Sequence, residues 1–600
     1  MKSEGGLPPR DEIPAEYKWR LEDIYPGLDQ WEQDFSLIQG ILDTIGSYRG
    51  RLGESADTLL KALRLQDNIQ EITERIYTYA RMRRDEDNTN NTYQALTDRA
   101  EGLSTRVHTA LSFIVPEILE IPQEALESFL QEKPDLSLYQ FALSELTRLK
   151  PHTLSQSEES IIARAGDVTT APASIFRMIN NADITFPPIR DDAGKEVEVT
   201  HGRYGQLMES RDRRVRQEAF TSLYSSYGKL KNTLAATLNS SVKKDIFYSK
   251  VRKHPSALEA SLFTDNIPPE VYQNLIGTVR QNLGSMHRYM ALRKKLLGLE
   301  QMRMYDLYVP VVREIKWEIP YPEAVAMVSR GLAPLGGDYG KTAAQGFASG
   351  WVDVYENRGK TSGAYSWGPY GVHPYILMNY QDNLNNVFTL AHEMGHAMHS
   401  YYSYQEQPYV YAHYKIFTAE VASTVNESLL MDHLLKTVTD RDKKVYLINH
   451  YLEQFRGTVF RQTMFAEFEK MIHERVEAGE ALTPQYLCSA YHQLNVDYHG
   501  PDMVVDPEIH LEWARIPHFY SAFYVYKYAT GFSAATALTR RILEDGHPAV
   551  SRYLDFLKKG DSDYPLNLLQ TAGVDMTTPT PIQEALDLFK SLLDQLEKSL

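Results

Sequence analysis

What the chain lacks narrows it first. A single cysteine, Cys488, stands among 600 residues. No disulfide can form within the chain and no thiolate cluster can hold a metal, since both need at least two cysteines. Such scarcity suits a reducing compartment, and a cytoplasmic protein is the expectation. No run approaches the ~18 uninterrupted apolar residues of a membrane span. The opening, MKSEGGLPPRDEIPAEYKWR, has no apolar stretch of the kind that marks a secretory signal. Basic charge is short as well: 63 Lys and Arg against 79 Asp and Glu leave a net charge of −16. That sign repels a phosphate backbone, so no nucleic acid and no membrane is expected as a partner. Fixed-period repeats and low-complexity tracts are missing too.

What is present is a globular composition. Hydrophobic residues make up 43% and charged residues 24%, which excludes a disordered chain, a collagen and a polytopic membrane protein. At ~150 residues per domain the length allows roughly four units, unless several layers close around one channel. Most of the chain has helical period. Leu59, Leu60, Leu63, Ile69, Ile72, Ile76 and Tyr79 recur at three- and four-residue steps, and residues 89–110 read the same way. Ser155 and Glu158 have capping-box spacing ahead of Ile161, with Gly166 as a stop. Near residue 185 the period changes. Ile184, Phe186, Ile189, the turn Asp191-Asp192-Ala193-Gly194, then Val197 and Val199 predict a small hairpin. Helices resume from about Arg211 to Leu297, broken at Pro255 and Pro268-Pro269. The interval 340–380, rich in Gly, Tyr and Pro, is the one substantial β-like block, and long helices follow it. The expectation is a mainly α protein, with a helical region over 1–200 ending in the hairpin and a second region over 201–600.

That second region carries the chemistry. Residues 391–400 read AHEMGHAMHS, and His392-Glu393-Met394-Gly395-His396 is an HExxH pentapeptide, expected about 0.04 times by chance here. His473-Glu474 starts the same pattern and lacks the second His, as coincidence does. On a helix over 384–403, turning 100° per residue, His396 lies about 40° from His392 and Glu393 about 100° away. Val387, Leu390, Met394, Ala397, Met398 and Tyr401 occupy the opposite arc and can pack on a core. Two imidazoles one turn apart can share one zinc at about 2.0–2.1 Å. Glu393 sits beside the ion, placed to take a proton from water. Gly395 leaves room for substrate or for another backbone, and Asp382 or Asn383 can cap the helix.

A third ligand is needed. His399 and Tyr402 stand where a third-His class would place Gly and His, so that class is excluded. His399 lies two turns from His392, which suits a structural role. A His₂Glu set remains, with the carboxylate on a following helix. In the segment FTAEVASTVNE, Glu420 and Glu427 share a face. Glu420 is taken as the ligand and Glu427 as an acceptor for a ligand imidazole N–H.

HEMGH, followed by FTAEVAS and preceded by GAYSWGPYGVHPYILMNY, resembles the oligoendopeptidase F family, related to thimet oligopeptidase and neurolysin. The likeness is strong over the C-terminal two-thirds. It implies a large multi-helix zincin-type peptidase with a small β block near the metal helix and a deep substrate channel. It implies one zinc per chain, held by His392, His396 and Glu420, with Glu393 as general base, and cleavage of short peptides. The segment Glu512–Tyr528 looks like the family's His/Tyr segment, which would make His518, Tyr524 and Tyr528 donors to the oxyanion. The His-to-Tyr spacing differs from the thimet branch, so Tyr520, Tyr524, Tyr526 and Tyr528 all stay open for that role. Tyr524 and Tyr528 are expected on one helical face. Gly363, Ala364, Tyr365, His373 and Tyr520 are candidates for holding substrate, the first of these through a strand edge; His373 reads equally as a turn residue before Pro374. Two other readings stand beside this one. Another metallohydrolase, an amidase or exopeptidase, can use the same ligands, with Arg515 as the nearest charge for a peptide terminus. A non-catalytic peptide-binding helical protein is the third.

Overall fold

In a computed structural model the described residues are 6–312 and 315–599, with the side chain of Gln156 set aside, and most of them are helical. Contacts divide the chain into two compact units. One takes the described residues of Met1–Pro151 with Trp317–His433 and Leu538–Gly573; the other takes those of His152–Lys316 with Leu434–Ala537 and Val574–Leu600. The units do not part at residue 200, the end of the first region expected from the sequence. The hairpin, Ile189–Arg190 paired antiparallel with Glu196–Val197, packs on the helix Arg213–Lys229 and goes with the second unit.

In the first unit the periodic leucines and isoleucines do what their spacing predicts. Ser55 accepts the Thr58 N–H and starts the helix Ala56–Glu86. Leu59, Leu60, Ile69 and Ile76 are buried against the helices Leu28–Gly46 and Asn91–Leu111, in a core that includes Trp31, Ile38 and Leu103. Tyr375 and Leu377 of the β block belong to that same core. The block is a three-stranded sheet. Tyr375–Leu377 lies in the centre, parallel to Val352–Asp353 and antiparallel to Tyr365–Trp367, with Tyr365 opposite Leu377 and Trp367 opposite Tyr375. The strand Tyr365–Trp367 is an edge and packs beside the helix Leu384–Glu406.

Charge ties the sheet to the N-terminal segment. Asp353 is fully buried, 2.7 Å from Lys360 Nζ and 2.7 Å from Arg10 Nη1. Arg10 reaches on to Glu86 at 3.0 Å, and Glu86 accepts the Trp19 indole N–H at 2.7 Å. Burial alone pushes a carboxyl up, but Lys360 and Arg10 hold Asp353 below its ordinary value.

The second unit packs Arg213–Lys229, Lys231–Val251, Pro269–Gln281, Leu283–Leu296, Arg441–Phe455, Arg461–Glu477, Pro484–His499 and Thr580–Ser599. It holds paired charges, each with at least one buried member: Asp306 with Arg216 at 2.6 Å, half-buried Glu453 with buried Arg456 at 2.7 Å, and buried Glu512 with half-buried Arg461 at 2.7 Å. The Ser155 capping box forms as expected, but its helix runs past Gly166 to Thr169, since one glycine costs a helix too little to end it. Among the described residues no helix is long and apolar enough to cross a membrane.

Replacing Asp353 by Ala leaves Lys360 and Arg10 facing a neutral side chain in the interior. Breaking a buried pair in this way costs about 3–5 kcal/mol. Thermal unfolding should show a clearly lower melting temperature for Asp353→Ala, while Asp338→Ala, at an exposed acid, should melt like the parent.

Candidate metal centre

Asn383 is the residue that caps the HExxH helix: its side chain accepts the Asn386 N–H, and the helix runs from Leu384 to Glu406. Val387, Leu390, Met394, Ala397 and Met398 are buried, as the apolar arc requires, with Tyr401 half-buried. On the polar face Glu393 is only 7% exposed, while His392 and His396 are half-buried. The second helix, Ile416–Thr437, brings Glu420 and Glu427.

The two helices touch at Gly395. A Cβ there would lie 2.5 Å from Ser423 Cα and 2.7 Å from the Ala422 carbonyl oxygen, so only glycine lets the backbones come this near. Of the two readings of Gly395, approach by another backbone is the one the structure shows. Asn426 clamps the same crossing. Its amide N–H donates to the Ala391 carbonyl at 3.2 Å, and its carbonyl accepts from the Tyr339 hydroxyl at 2.9 Å.

This crossing aims three ligand atoms at one point. His392 Nε2 and His396 Nε2 are 3.2 Å apart, and Glu420 Oε2 lies 3.4 Å from the first and 3.7 Å from the second. The other ring nitrogens are already engaged. His392 Nδ1–H donates to Glu427 Oε1 at 2.6 Å, a carboxylate being acceptor only. His396 is held by a hydrogen bond to the Ala419 backbone. Both Nε2 atoms therefore face the Glu420 carboxylate, at the point where a cation would take their lone pairs.

The electrostatics say the same with a proton. Burial opposes charge on His392, yet hydrogen bonds to Glu420 and Glu427 raise it to about 10. Burial and the neighbouring positive His392 lower His396. Burial pushes Glu393 up to about 7, above the usual carboxyl range, against the pull of His392 and with the help of Glu420 and Glu427. His399 takes no part. It is 1% exposed, stacked on Tyr414 at 3.7 Å, and burial lowers it to about 3.

The sequence candidates for holding substrate fare unevenly. Gly363 is exposed at φ +87°, with open space where a Cβ would stand, and Ala364 is half-buried beside it. The Tyr365 hydroxyl donates to Asp85 at 2.9 Å, so its phenol is occupied. Both ring nitrogens of His373 are engaged, by Asp23 at 2.9 Å and by the Pro374 carbonyl at 2.9 Å, and the ring lies flat on Trp351. Asp85 and Asp23 come from far away in the chain, which no local pattern reveals, while Pro374 is the next residue, as the turn reading of His373 allows.

In the second unit, His518, Tyr524 and Tyr528 cluster. The Tyr524 ring lies 6.1 Å from the His518 ring and 5.4 Å from the Tyr528 ring, and the Tyr528 hydroxyl is 3.5 Å from His518 Nε2. Burial lowers His518, which keeps it neutral near pH 7. The expected helical face is not how they meet. The helix starts at Tyr526, so Tyr524 precedes it, and His518 stands on a separate short turn, Pro517–Tyr520. Tyr520 stacks on Phe176 at 4.4 Å. Tyr526, the fourth tyrosine of the segment, is buried. Arg515 is committed to Glu512 at 3.5 Å and lies over the Tyr204 ring.

Sequence reading missed Asn426 and the Ala419 carbonyl. Asn426 had a signal, a lone amide in the apolar run of the second helix; the carbonyl had none. Gly395→Ala should force the helices apart, at the ~1–3 kcal/mol cost of an overpacked contact. Its melting temperature and its bound metal should both fall. A variant with the metal content and melting temperature of the parent would contradict the close crossing.

Comparison with known proteins gives the family. The family description "Peptidase family M3" matches residues 206–588, and "Oligopeptidase F" matches residues 117–186. Oligopeptidase PepF of Bacillus subtilis is 50% identical over 599 residues, covering 100% of this chain and 89% of that one. A solved structure from Chlamydophila abortus has 35% identity and a TM-score of 0.93, covering 99% of this chain and 100% of the other. The crystal structure of oligoendopeptidase-F from Enterococcus faecium has 39% identity and a TM-score of 0.74, covering 95% and 99%. This chain belongs to peptidase family M3, on its oligopeptidase F side, and is a metallo-oligopeptidase.

Proposed function

We propose that the protein is a zinc endopeptidase of short peptides, acting in the cytoplasm without nucleic-acid or membrane partners, with His392, His396 and Glu420 as the zinc ligands. The observation that carries this is the convergence of the three ligand atoms, 3.2–3.7 Å from one another. Ligands about 2.0–2.1 Å from one ion in a tetrahedral set stand roughly 3.3 Å apart, so the residues fit the group. Zinc, when bound there, supplies Lewis acidity toward water and the scissile carbonyl.

The chain's own residues do the rest. Glu427 fixes the His392 ring so that Nε2 faces inward. Glu393 takes the proton of the attacking water and delivers it to the leaving amine. Burial raises this carboxyl above the usual range, which favours its holding the proton between the two steps. His518, Tyr524 and Tyr528 are assigned as donors to the oxyanion that forms on the carbonyl. All three are half-buried, and neutral donors of this kind are worth ~10²–10³ in rate each. The edge strand Tyr365–Trp367 and the open Gly363–Ala364 approach offer backbone to an extended substrate.

An exopeptidase needs a free charge for a peptide terminus. Arg515, the candidate for it, is spent on Glu512. Glu393→Gln should keep its zinc and lose at least about 10³-fold in kcat on a peptide capped at both ends, a substrate the parent cuts internally. Cleavage by this variant at the parental rate, or a parent that cuts only uncapped peptides, would overturn the reading.

A further inference from the structure

Tyr524 is placed by a turn, not by a helix. Phe523, just before it, has φ +53°, a left-handed conformation that a side chain other than glycine adopts only when the surroundings impose it. Three contacts impose it. The Phe523 N–H donates to Glu469 Oε1 at 2.8 Å, the Ser261 hydroxyl donates to the Ala522 carbonyl at 3.0 Å, and Lys527 pairs with Asp265 at 2.7 Å. The Phe523 ring packs against His473 at 4.6 Å and Tyr272 at 5.7 Å.

Glu469 is the unusual member. It lies on the helix Arg461–Glu477 and is fully buried. His473, one turn on, donates through Nδ1 to the Glu469 backbone carbonyl and faces Asp245 through Nε2 at 3.3 Å. Burial pushes the Glu469 carboxyl up to about 8, against His473 and the Phe523 N–H, so it is largely neutral near pH 7. Its second oxygen, Oε2, has no hydrogen-bond partner among the described residues. A buried carboxyl with an idle oxygen is a costly way to fill space. Its one evident service is to accept the Phe523 amide.

We propose that Glu469 is a positioning residue for Tyr524: by accepting the Phe523 amide it fixes the left-handed turn that sets the next phenol beside His518. The inference rests on the reading of Tyr524 as a donor to the oxyanion. It gives a task to a helix whose only sequence signal was an incomplete HExxH at His473.

The test is steady-state kinetics on a peptide capped at both ends, with bound zinc and melting temperature measured on every variant. Glu469→Leu fills the volume and removes the acceptor. It should lower kcat about 10²-fold, with KM within about twofold and zinc unchanged. Glu469→Gln keeps a carbonyl for the amide and should recover kcat to within about threefold of the parent. In a Tyr524→Phe background, Glu469→Leu should cost no more than about twofold, since it acts through the missing hydroxyl. Ser261→Ala loosens the same turn from its other side and serves if Glu469→Leu does not fold. It should lower kcat about tenfold, and this loss too should vanish in Tyr524→Phe. Parental kcat in Glu469→Leu, equal losses in Gln and Leu, or losses that add to that of Tyr524→Phe would each overturn the positioning role. Tyr524→Phe at parental kcat instead overturns the donor reading itself, and it does so in a protein whose Glu469 is intact.

Discussion

The close contact of Gly395 with Ser423 sets the distance between the two helices that carry the ligand atoms. At that distance His392 Nε2, His396 Nε2 and Glu420 Oε2 come within 3.2–3.7 Å of one another. Everything at the centre follows from the crossing. Asn426 locks its angle by tying the Ala391 carbonyl, Glu427 turns one imidazole and the Ala419 backbone holds the other. The burial that results lifts Glu393 into the range where a carboxyl can both accept and return a proton.

Buried charge recurs through both units, and it is paired with care. Asp353 faces Lys360 and Arg10, Glu453 faces Arg456, and Glu512 faces Arg461. Such pairs add little net stability over apolar packing, but breaking one is expensive, so each fixes which segments meet. Asp353 joins the β block to the N-terminal segment, and Glu512 anchors the turn that leads into the His518 segment. Glu469 differs in that, among the described residues, no cationic side chain is hydrogen-bonded to its carboxyl, which meets the Phe523 backbone N–H.

How far the sequence could be read follows from how local each feature is. The HExxH helix and its apolar arc were legible, because a helix of known period turns spacing into direction, and Glu420 does lie beside the two imidazoles. The hairpin at 189–197 and the Ser155 capping box were legible for the same reason. Three features were not. The division into units joins segments hundreds of residues apart, and no local period records it. Tyr365 and His373 looked available until Asp85 and Asp23, from distant parts of the chain, claimed their polar atoms. Tyr524 was expected in helical phase with Tyr528, but a left-handed residue at Phe523 delays the helix to Tyr526, and that conformation depends on a buried acceptor 54 residues earlier.

The central claim is a single ion between two helices. X-ray absorption at the zinc edge of the metal-loaded protein tests it most directly. The account predicts one zinc per chain, with two imidazole nitrogens and a carboxylate oxygen at about 2.0–2.2 Å, and loss of the carboxylate from that shell in Glu420→Ala. A shell with a single imidazole, or one that Glu420→Ala leaves unchanged, would contradict it.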